Sequence, residues 1–316
     1  MLSLPGIESL ERVALFGIGP AAVAVELLHA YLLPLAAVPV EIVQEGCWPG
    51  WLRGENTLVI CIQTGDSDDA HLLAERALEQ GCWVVTTGPA KSTLASALQL
   101  TLWPPMPAGP FAISYHFGLL LAACHRLGLL SGAPEELRAA VDALQAQQAA
   151  LGPSVPVARN PAKRTAGQLV GRWVVVLGVG LFAPAARRWK AQINGLAKAL
   201  AQCEELPGAG QAGIAGLNFP EPLLSQVIAL FLLAPSLPER SRMRLEYTRQ
   251  IYKMQGINTD SIEARGEGRL AHLWTLLQFG EYMAYYLALA YGENPAPAEV
   301  LAEMEQELCH FFAFEG

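Results

Sequence analysis

The chain has 316 residues, of which 52% are apolar and 16% charged, with a formal net charge of −8. Such apolar content excludes a disordered chain, and the length allows two domains with separate cores. The acidic balance and the lack of any dense Lys/Arg cluster argue against nucleic acid as a partner.

The six cysteines (47, 61, 82, 124, 203 and 309) show neither a C-x-x-C pair nor metal-ligand spacing. No metal is therefore expected, and a reducing cytoplasm is the expected location. The apolar run from Ala21 to Val40 carries Glu26, His29 and Pro34. It reads as a core helix followed by a strand, so no membrane partner is expected.

In chain order, a strand is predicted over 12–16, a helix over 20–33 and strands over 38–43 and 57–62. A helix over 67–80, a strand over 82–86, a helix over 91–98 and a strand over 99–102 follow. This alternation is that of an α/β fold with a parallel sheet covered by helices on both faces. Helices over 112–129 and 134–150 come next. The Pro-rich passage 152–161 then separates a first domain, 1–150, from a second, 151–316.

The second half is expected to run helix 161–170, strand 172–177, helix 184–202, Gly-rich loop 207–216 and strand 226–233. Helix 239–255, strand 258–264, helix 269–291 and a final helix 298–312 complete it. Helix 269–291 is apolar nearly all round, which predicts burial between domains or subunits.

One local pattern occurs twice, about 160 residues apart. The strand from Arg12 ends in Gly17-Ile-Gly19, and the strand from Arg172 ends in Gly178-Val-Gly180; each passes directly into a helix. Amides at such a helix start favour an anion. Gly17-x-Gly19-x-x-Ala22 and Gly178-x-Gly180-x-x-Ala183 also fit a loose dinucleotide fingerprint, with Glu41 or Glu45 as the ribose-binding acid. Against this, Pro20 removes an amide from the turn, and tight strand-to-helix packing accounts for the glycines without a cofactor.

Thr64-Gly65-Asp66-Ser67-Asp68-Asp69 could hold phosphate or sugar hydroxyls; equally, it could cap the helix that follows. The six histidines (29, 71, 116, 125, 272 and 310) are scattered, and no hydrolase, Walker or metal-site pattern is present.

Several segments, taken in order, carry a resemblance. Thr64-Gly-Asp-Ser67 with Asp68 and Asp69, then Asn160-Pro-Ala-Lys163, then Arg188-Trp-Lys190 with Asn194 and Lys198, precede Tyr285-Tyr-Leu-Ala-Leu289 and Gly292-Glu-Asn-Pro295-Ala-Pro297. Together they resemble the SIS (sugar isomerase) domain family, in particular the bifunctional phosphoglucose/phosphomannose isomerases. The resemblance implies two tandem αβα SIS domains plus C-terminal helices, assembled as a homodimer. It also implies a phosphorylated sugar as ligand, no cofactor, and aldose–ketose isomerisation of hexose 6-phosphates as the activity. Sugar-phosphate contacts would fall at Gly17, Gly19, Thr64, Gly65, Asp66, Ser67, Thr86, Thr87 and Lys198.

The same resemblance marks departures. The family's carbon-acid base aligns with Gly195 and its ring-opening histidine with Gln211. An arginine aligns with Phe111, and a C-terminal lysine falls near Glu305. Loss of a general base typically costs a factor of about 10²–10⁴, so isomerase activity is expected to be weakened or lost. A non-catalytic sugar-phosphate-binding or regulatory protein is the first alternative. An NAD(P)-dependent oxidoreductase, resting on the glycine fingerprints, is the second.

Overall fold

The structure is a computed structural model and describes residues 10–44, 47–62, 68–87, 101–103, 112–296 and 304. The expected helices 91–98 and 298–312 lie outside the described residues, Met304 apart. The chain divides into two compact units, 1–135 and 136–316.

The first unit contains a five-stranded sheet of order β2-β1-β3-β4-β5, parallel throughout. Its strands are β1 (Arg12–Gly17), β2 (Val40–Ile42), β3 (Thr57–Ile62), β4 (Trp83–Thr87) and β5 (Thr101–Trp103). Every residue of β3 is buried, as a strand covered on both faces requires. On one face Ala14, Phe16, Val59, Cys61 and Val84 pack against Ala70, Ala74 and Ala77 of α2 (Asp68–Glu79). That alanine stripe at helical spacing brings α2 close to the sheet. Burial pushes the Cys61 thiol up to about 12, so it packs as a hydrophobe. Helices α1 (Pro20–Leu32) and α3 (Ile113–Arg126) pack on each other.

The second unit contains a four-stranded parallel sheet of order β7-β6-β8-β9. Its strands are β6 (Trp173–Val179), β7 (Ala201–Leu206), β8 (Val227–Leu233) and β9 (Asn258–Glu263). Renumbered from its own first strand, this order is 2-1-3-4, the same as the first four strands of the other sheet. The internal repeat seen in the sequence is therefore a repeat of topology.

Its helices are α4 (Ala133–Leu151), α5 (Pro161–Leu169), α6 (Ala183–Ala197), α7 (Gly208–Ala215), α8 (Glu221–Leu224), α9 (Glu239–Met254) and α10 (Arg269–Tyr291). All but the start of α4 belongs to the second unit, and the reason is hydrogen bonding. Gln147 donates to the Thr275 carbonyl at 2.7 Å, and a Glu136 oxygen accepts from the Leu270 amide at 3.2 Å. The Glu136 carboxylate thus supplies the N-terminal cap that Gly268 cannot.

Two expectations are corrected. The helix expected over 184–202 ends at Ala197, where Lys198 turns left-handed at φ 52°, and β7 follows within a few residues. β7 escapes a pattern search because it is an edge strand whose middle residues are only half-buried. The Gly-rich stretch expected as a loop over 207–216 forms helix α7, none of whose residues is buried. Within its own unit, helix α10 is packed by α5 and α6 and hydrogen-bonded to α4, which buries much of its apolar surface.

Candidate functional site

In an open parallel sheet, ligands bind beyond the carboxyl ends of the strands where the strand order reverses. In the first unit that point lies between β1 and β3. The register aligns Gly17 with Ile62 and Cys61 with Thr86. Gly17, Gly19, Thr86 and Thr87 therefore share one edge of the sheet. Thr64, Gly65, Asp66 and Ser67 lie outside the described residues, in the sequence between the end of β3 and the start of α2. Phe111 and Glu305 are outside them as well.

The two glycines at this edge have structural causes. A Cβ on Gly17 would stand 2.8–2.9 Å from the backbone of Ala21 and Ala22, and Gly19 has φ +59°. The turn also leaves α1 little with which to hold an anion. Pro20 has no N–H, Ala21 N–H donates to the Ile18 carbonyl, and Ala22 N–H donates to the Gly19 carbonyl. Glu41 is exposed in the middle of β2, level with Ala14 rather than with the strand ends. Glu45 is outside the described residues.

The second copy of the turn is built alike. A Cβ on Gly178 would meet the Phe182 carbonyl oxygen at 2.3 Å, and Gly180 has φ +54°. From this turn α6 runs along α10. Trp189 is fully buried; its Nε1 donates to the Leu276 carbonyl at 2.9 Å, and its ring stacks on Phe279 at 5.8 Å. Gly280 exists to admit that ring, since a Cβ there would stand 2.3 Å from the indole nitrogen. The tryptophan of Arg188-Trp-Lys190 is thus a docking residue.

Its neighbours are polar. Arg188 faces Glu281 of α10 at 3.8 Å, and Arg187 pairs with Glu205 of β7. Burial raises the Glu281 pKa, which Arg188 and Gln192 counteract; burial likewise lowers that of Arg188. Gln192 holds the carboxylate loosely, for neither of its amide atoms makes a hydrogen bond of ordinary geometry. Glu281 went unnoticed in the sequence because helix 269–291 reads as apolar, and its partner is on another element.

Gly195 sits on α6 with nothing within 4 Å of where its Cβ would be. Gln211 is exposed on α7. Lys198 lies past the end of α6, just before β7 starts, and so at the amino edge of its own sheet. Its ammonium donates to the Gly195 carbonyl at 2.7 Å and the Ala296 carbonyl at 2.5 Å. Within the second unit it is a strap between two backbone segments.

At the opposite edge, His272 is 4% exposed, with Nδ1 2.8 Å from Ser236 Oγ and Nε2 3.1 Å from the Gly266 carbonyl. That carbonyl can only accept, so Nε2 carries the proton and Nδ1 accepts from the serine hydroxyl in the neutral ring. Burial lowers the His272 pKa. Glu204 of β7 has its pKa raised by burial, partly offset by the Gln202 amide. Among the described residues no group of three or more His, Cys, Asp or Glu is placed to hold a metal ion, and no helix is long and apolar enough to cross a membrane.

Asn160-Pro-Ala-Lys163 has a structural explanation. Asn160 is fully buried; its Oδ1 accepts from the Lys163 amide, and its Nδ2 donates to the carbonyls of Leu151 and Gly152. It joins the end of α4 to the start of α5.

Residues 158–308 match the bacterial phospho-glucose isomerase C-terminal SIS domain. A bifunctional phosphoglucose/phosphomannose isomerase of Caldicellulosiruptor bescii is 23% identical over 306 residues, which is 95% of this chain and 90% of the relative. The enzyme of the same name from Aquifex aeolicus is 26% identical over 75% of this chain and 64% of its own length.

Among solved structures, a glucose-6-phosphate isomerase like protein from Thermus thermophilus superposes with a TM-score of 0.62. It has 25% identity and covers 90% of this chain and 85% of that one. Tagatose-6-phosphate ketose/aldose isomerase from Escherichia coli shares the fold, with a TM-score of 0.67, 15% identity and 92% and 85% coverage. Residues 158–308 thus resemble an SIS domain, and with its two parallel αβα units the chain resembles the bifunctional phosphoglucose/phosphomannose isomerases over nearly its whole length.

Proposed function

We propose that this protein binds a phosphorylated hexose at the carboxyl edge of the first sheet, and that its aldose–ketose isomerisation is weak beside that of its relatives. The reading rests chiefly on similarity to phosphoglucose/phosphomannose isomerases along 95% of the chain. The edge where the first sheet reverses its order supports the location. The weakening is inferred from side chains. Isomerisation needs a base at C1/C2, a proton shuttle to open the ring and positive charge against the enediolate. Gly195 and Gln211 stand at the aligned positions of the first two, and neither can move a proton.

A sugar-phosphate-binding protein without turnover is the second reading, favoured by those same two residues. A dinucleotide oxidoreductase draws no support from the strand order 2-1-3-4-5, from the engaged amides of the β1–α1 turn or from the position of Glu41. The protein is taken to act as a cytoplasmic homodimer with no cofactor, by analogy with the family. Size-exclusion chromatography with light scattering tests the dimer.

The test of function is a thermal-shift titration with glucose-, fructose-, mannose- and glucosamine-6-phosphate and inorganic phosphate, followed by a coupled isomerase assay. A ligand at about 100 times its Kd adds about 2.7 kcal/mol, so a sugar-specific rise in Tm is expected. No shift with any sugar phosphate overturns the proposal.

A further inference from the structure

Helix α9 presents two faces, and its own fold uses one. Leu245, Thr248 and Tyr252 recur at i, i+3 and i+7 and are buried, with Tyr252 edge-on to Phe231 of β8. Met243, Tyr247 and Met254, at i, i+4 and i+11, fall together on the opposite side of the helix. They are 46%, 61% and 84% exposed. Arg240 and Arg244 follow one flank of this stripe at i and i+4. In all, α9 carries five basic residues against two acidic ones, in a chain whose net charge is −8. Single exposed apolar residues are ordinary, but an aligned Met/Tyr stripe edged by arginine has the composition of a protein interface.

The sequence holds a segment that complements this face. From Ala298 to Gly316 there are five glutamates and no lysine or arginine. Leu301, Met304, Leu308 and Phe311 recur at i, i+3, i+7 and i+10, one apolar face of the helix expected over 298–312. Glu303 and Glu307 run beside that face at the same i, i+4 spacing as Arg240 and Arg244. The segment lies outside the described residues apart from Met304, which is helical and 53% exposed. A helix over 298–312 is about 22 Å long, against about 24 Å for the 16 residues of α9. The two therefore match in length, in charge and in the presence of an apolar stripe.

Within one copy Met254 and Met304 both stand open, so neither stripe is closed by its own chain. Two α9 helices set face to face would bring their basic residues together, which like-charge repulsion opposes. We propose that the outer face of α9 binds the segment 298–312 of a second copy of this chain, each copy giving its segment to the other. The two arginines then meet the two glutamates, and the Met/Tyr stripe meets the segment's apolar face. A two-fold exchange makes the same contact twice and so doubles the area it buries. The inference rests on the homodimer reading above and names the surfaces that hold the dimer.

The test is light scattering on serial dilution of the full chain, which reads the dimer dissociation constant. The unaltered chain is expected to be dimeric at micromolar concentration. Arg240→Glu with Arg244→Glu should raise the constant about tenfold or more, and so should Glu303→Lys with Glu307→Lys. Met254→Asp, at a fully solvated position, should do the same and keeps the test open if either charge reversal fails to fold. Circular dichroism of each variant checks the fold. Mixing the two charge-reversed chains should bring the dimer back, because each then offers a face that suits the other's segment. Added salt should weaken the unaltered dimer.

A dimer whose constant moves with none of these variants overturns the inference and leaves the homodimer reading standing. Charge-reversed chains that weaken singly but do not pair on mixing also overturn it, since the segment then docks on its own copy. A monomeric unaltered chain overturns the inference and the homodimer reading together, while sugar-phosphate binding is judged separately by its thermal shift.

Discussion

The two sheets share a frame and differ in what is placed on it. Each begins with a strand ending in Gly-x-Gly, each orders its first four strands 2-1-3-4, and each uses the two glycines alike. The first glycine of each pair, Gly17 or Gly178, lets the helix backbone come within about 3 Å or less of its missing Cβ; the second holds a positive φ. In the first unit the opening helix packs on α3 and buries aliphatic residues and Tyr31. In the second it is pinned to α10 by one buried indole and flanked by an arginine–glutamate pair. Duplication has kept what the backbone requires and left the side chains free to diverge. For that reason the glycine motif alone says little about ligand.

The largest test of this contrast is Trp189→Ala. Removing a fully buried indole should cost about 3–5 kcal/mol. Hydrogen exchange should locate the loss in β6–β9, with β1, β3 and β4 keeping their protection. If protection falls equally in both sheets, the contrast between pinned and unpinned units fails.

Next come Gly178→Ala and Gly17→Ala, each forcing an added methyl into backbone at a cost of about 1–3 kcal/mol. Gly178 should be the worse of the two, since its nearest atom lies at 2.3 Å against 2.8 Å. Chemical denaturation of both variants ranks the two turns; the reverse ranking would show that the second turn relaxes more easily. Asn160→Ala should cost about 1–2 kcal/mol through loss of a helix cap and of two hydrogen bonds to carbonyls.

The smallest effect is with pH. His272 and His116, one in each unit, have folded pKa values lowered by burial. Between those values and about pH 6.5 the unfolded chain binds more protons. Stability is therefore fully present above about pH 6.5 and falls as the pH drops towards the folded values. His272→Gln should remove only the second unit's share of that slope, measured by urea unfolding across pH 5–8.

What the sequence revealed and what it hid follow from the range of the interactions involved. The β1 and β6 turns were legible because strand, glycines and helix are contiguous. The carboxyl edge carrying Gly17 and Thr86 was legible because parallel register follows from the alternation of strands and helices. β7 was not, since Ala201–Leu206 carries two glutamates and a glutamine in a half-exposed edge strand. Helix α7 was hidden behind three glycines that argue for a loop. The Arg188–Glu281 pair joins residues on different helices, and nothing local in either helix announces it. His272 and Ser236 escaped for the same reason. Lys198, which the resemblance offers as a sugar-phosphate contact, donates to two carbonyls in its own unit.

The cap that Glu136 places on α10 has a practical side. The carboxylate and the helix start it serves are separated by most of the second unit, |i−j| being 134. A fragment begun at the Pro-rich passage 152–161 would carry all four strands of the second sheet but would lack Glu136 and Gln147. Its long apolar helix would start with uncapped amides and an uncovered flank. Any attempt to express this unit alone should begin upstream of α4. During synthesis, too, the first element of the unit to leave the ribosome must wait for almost the last before either finds its partner.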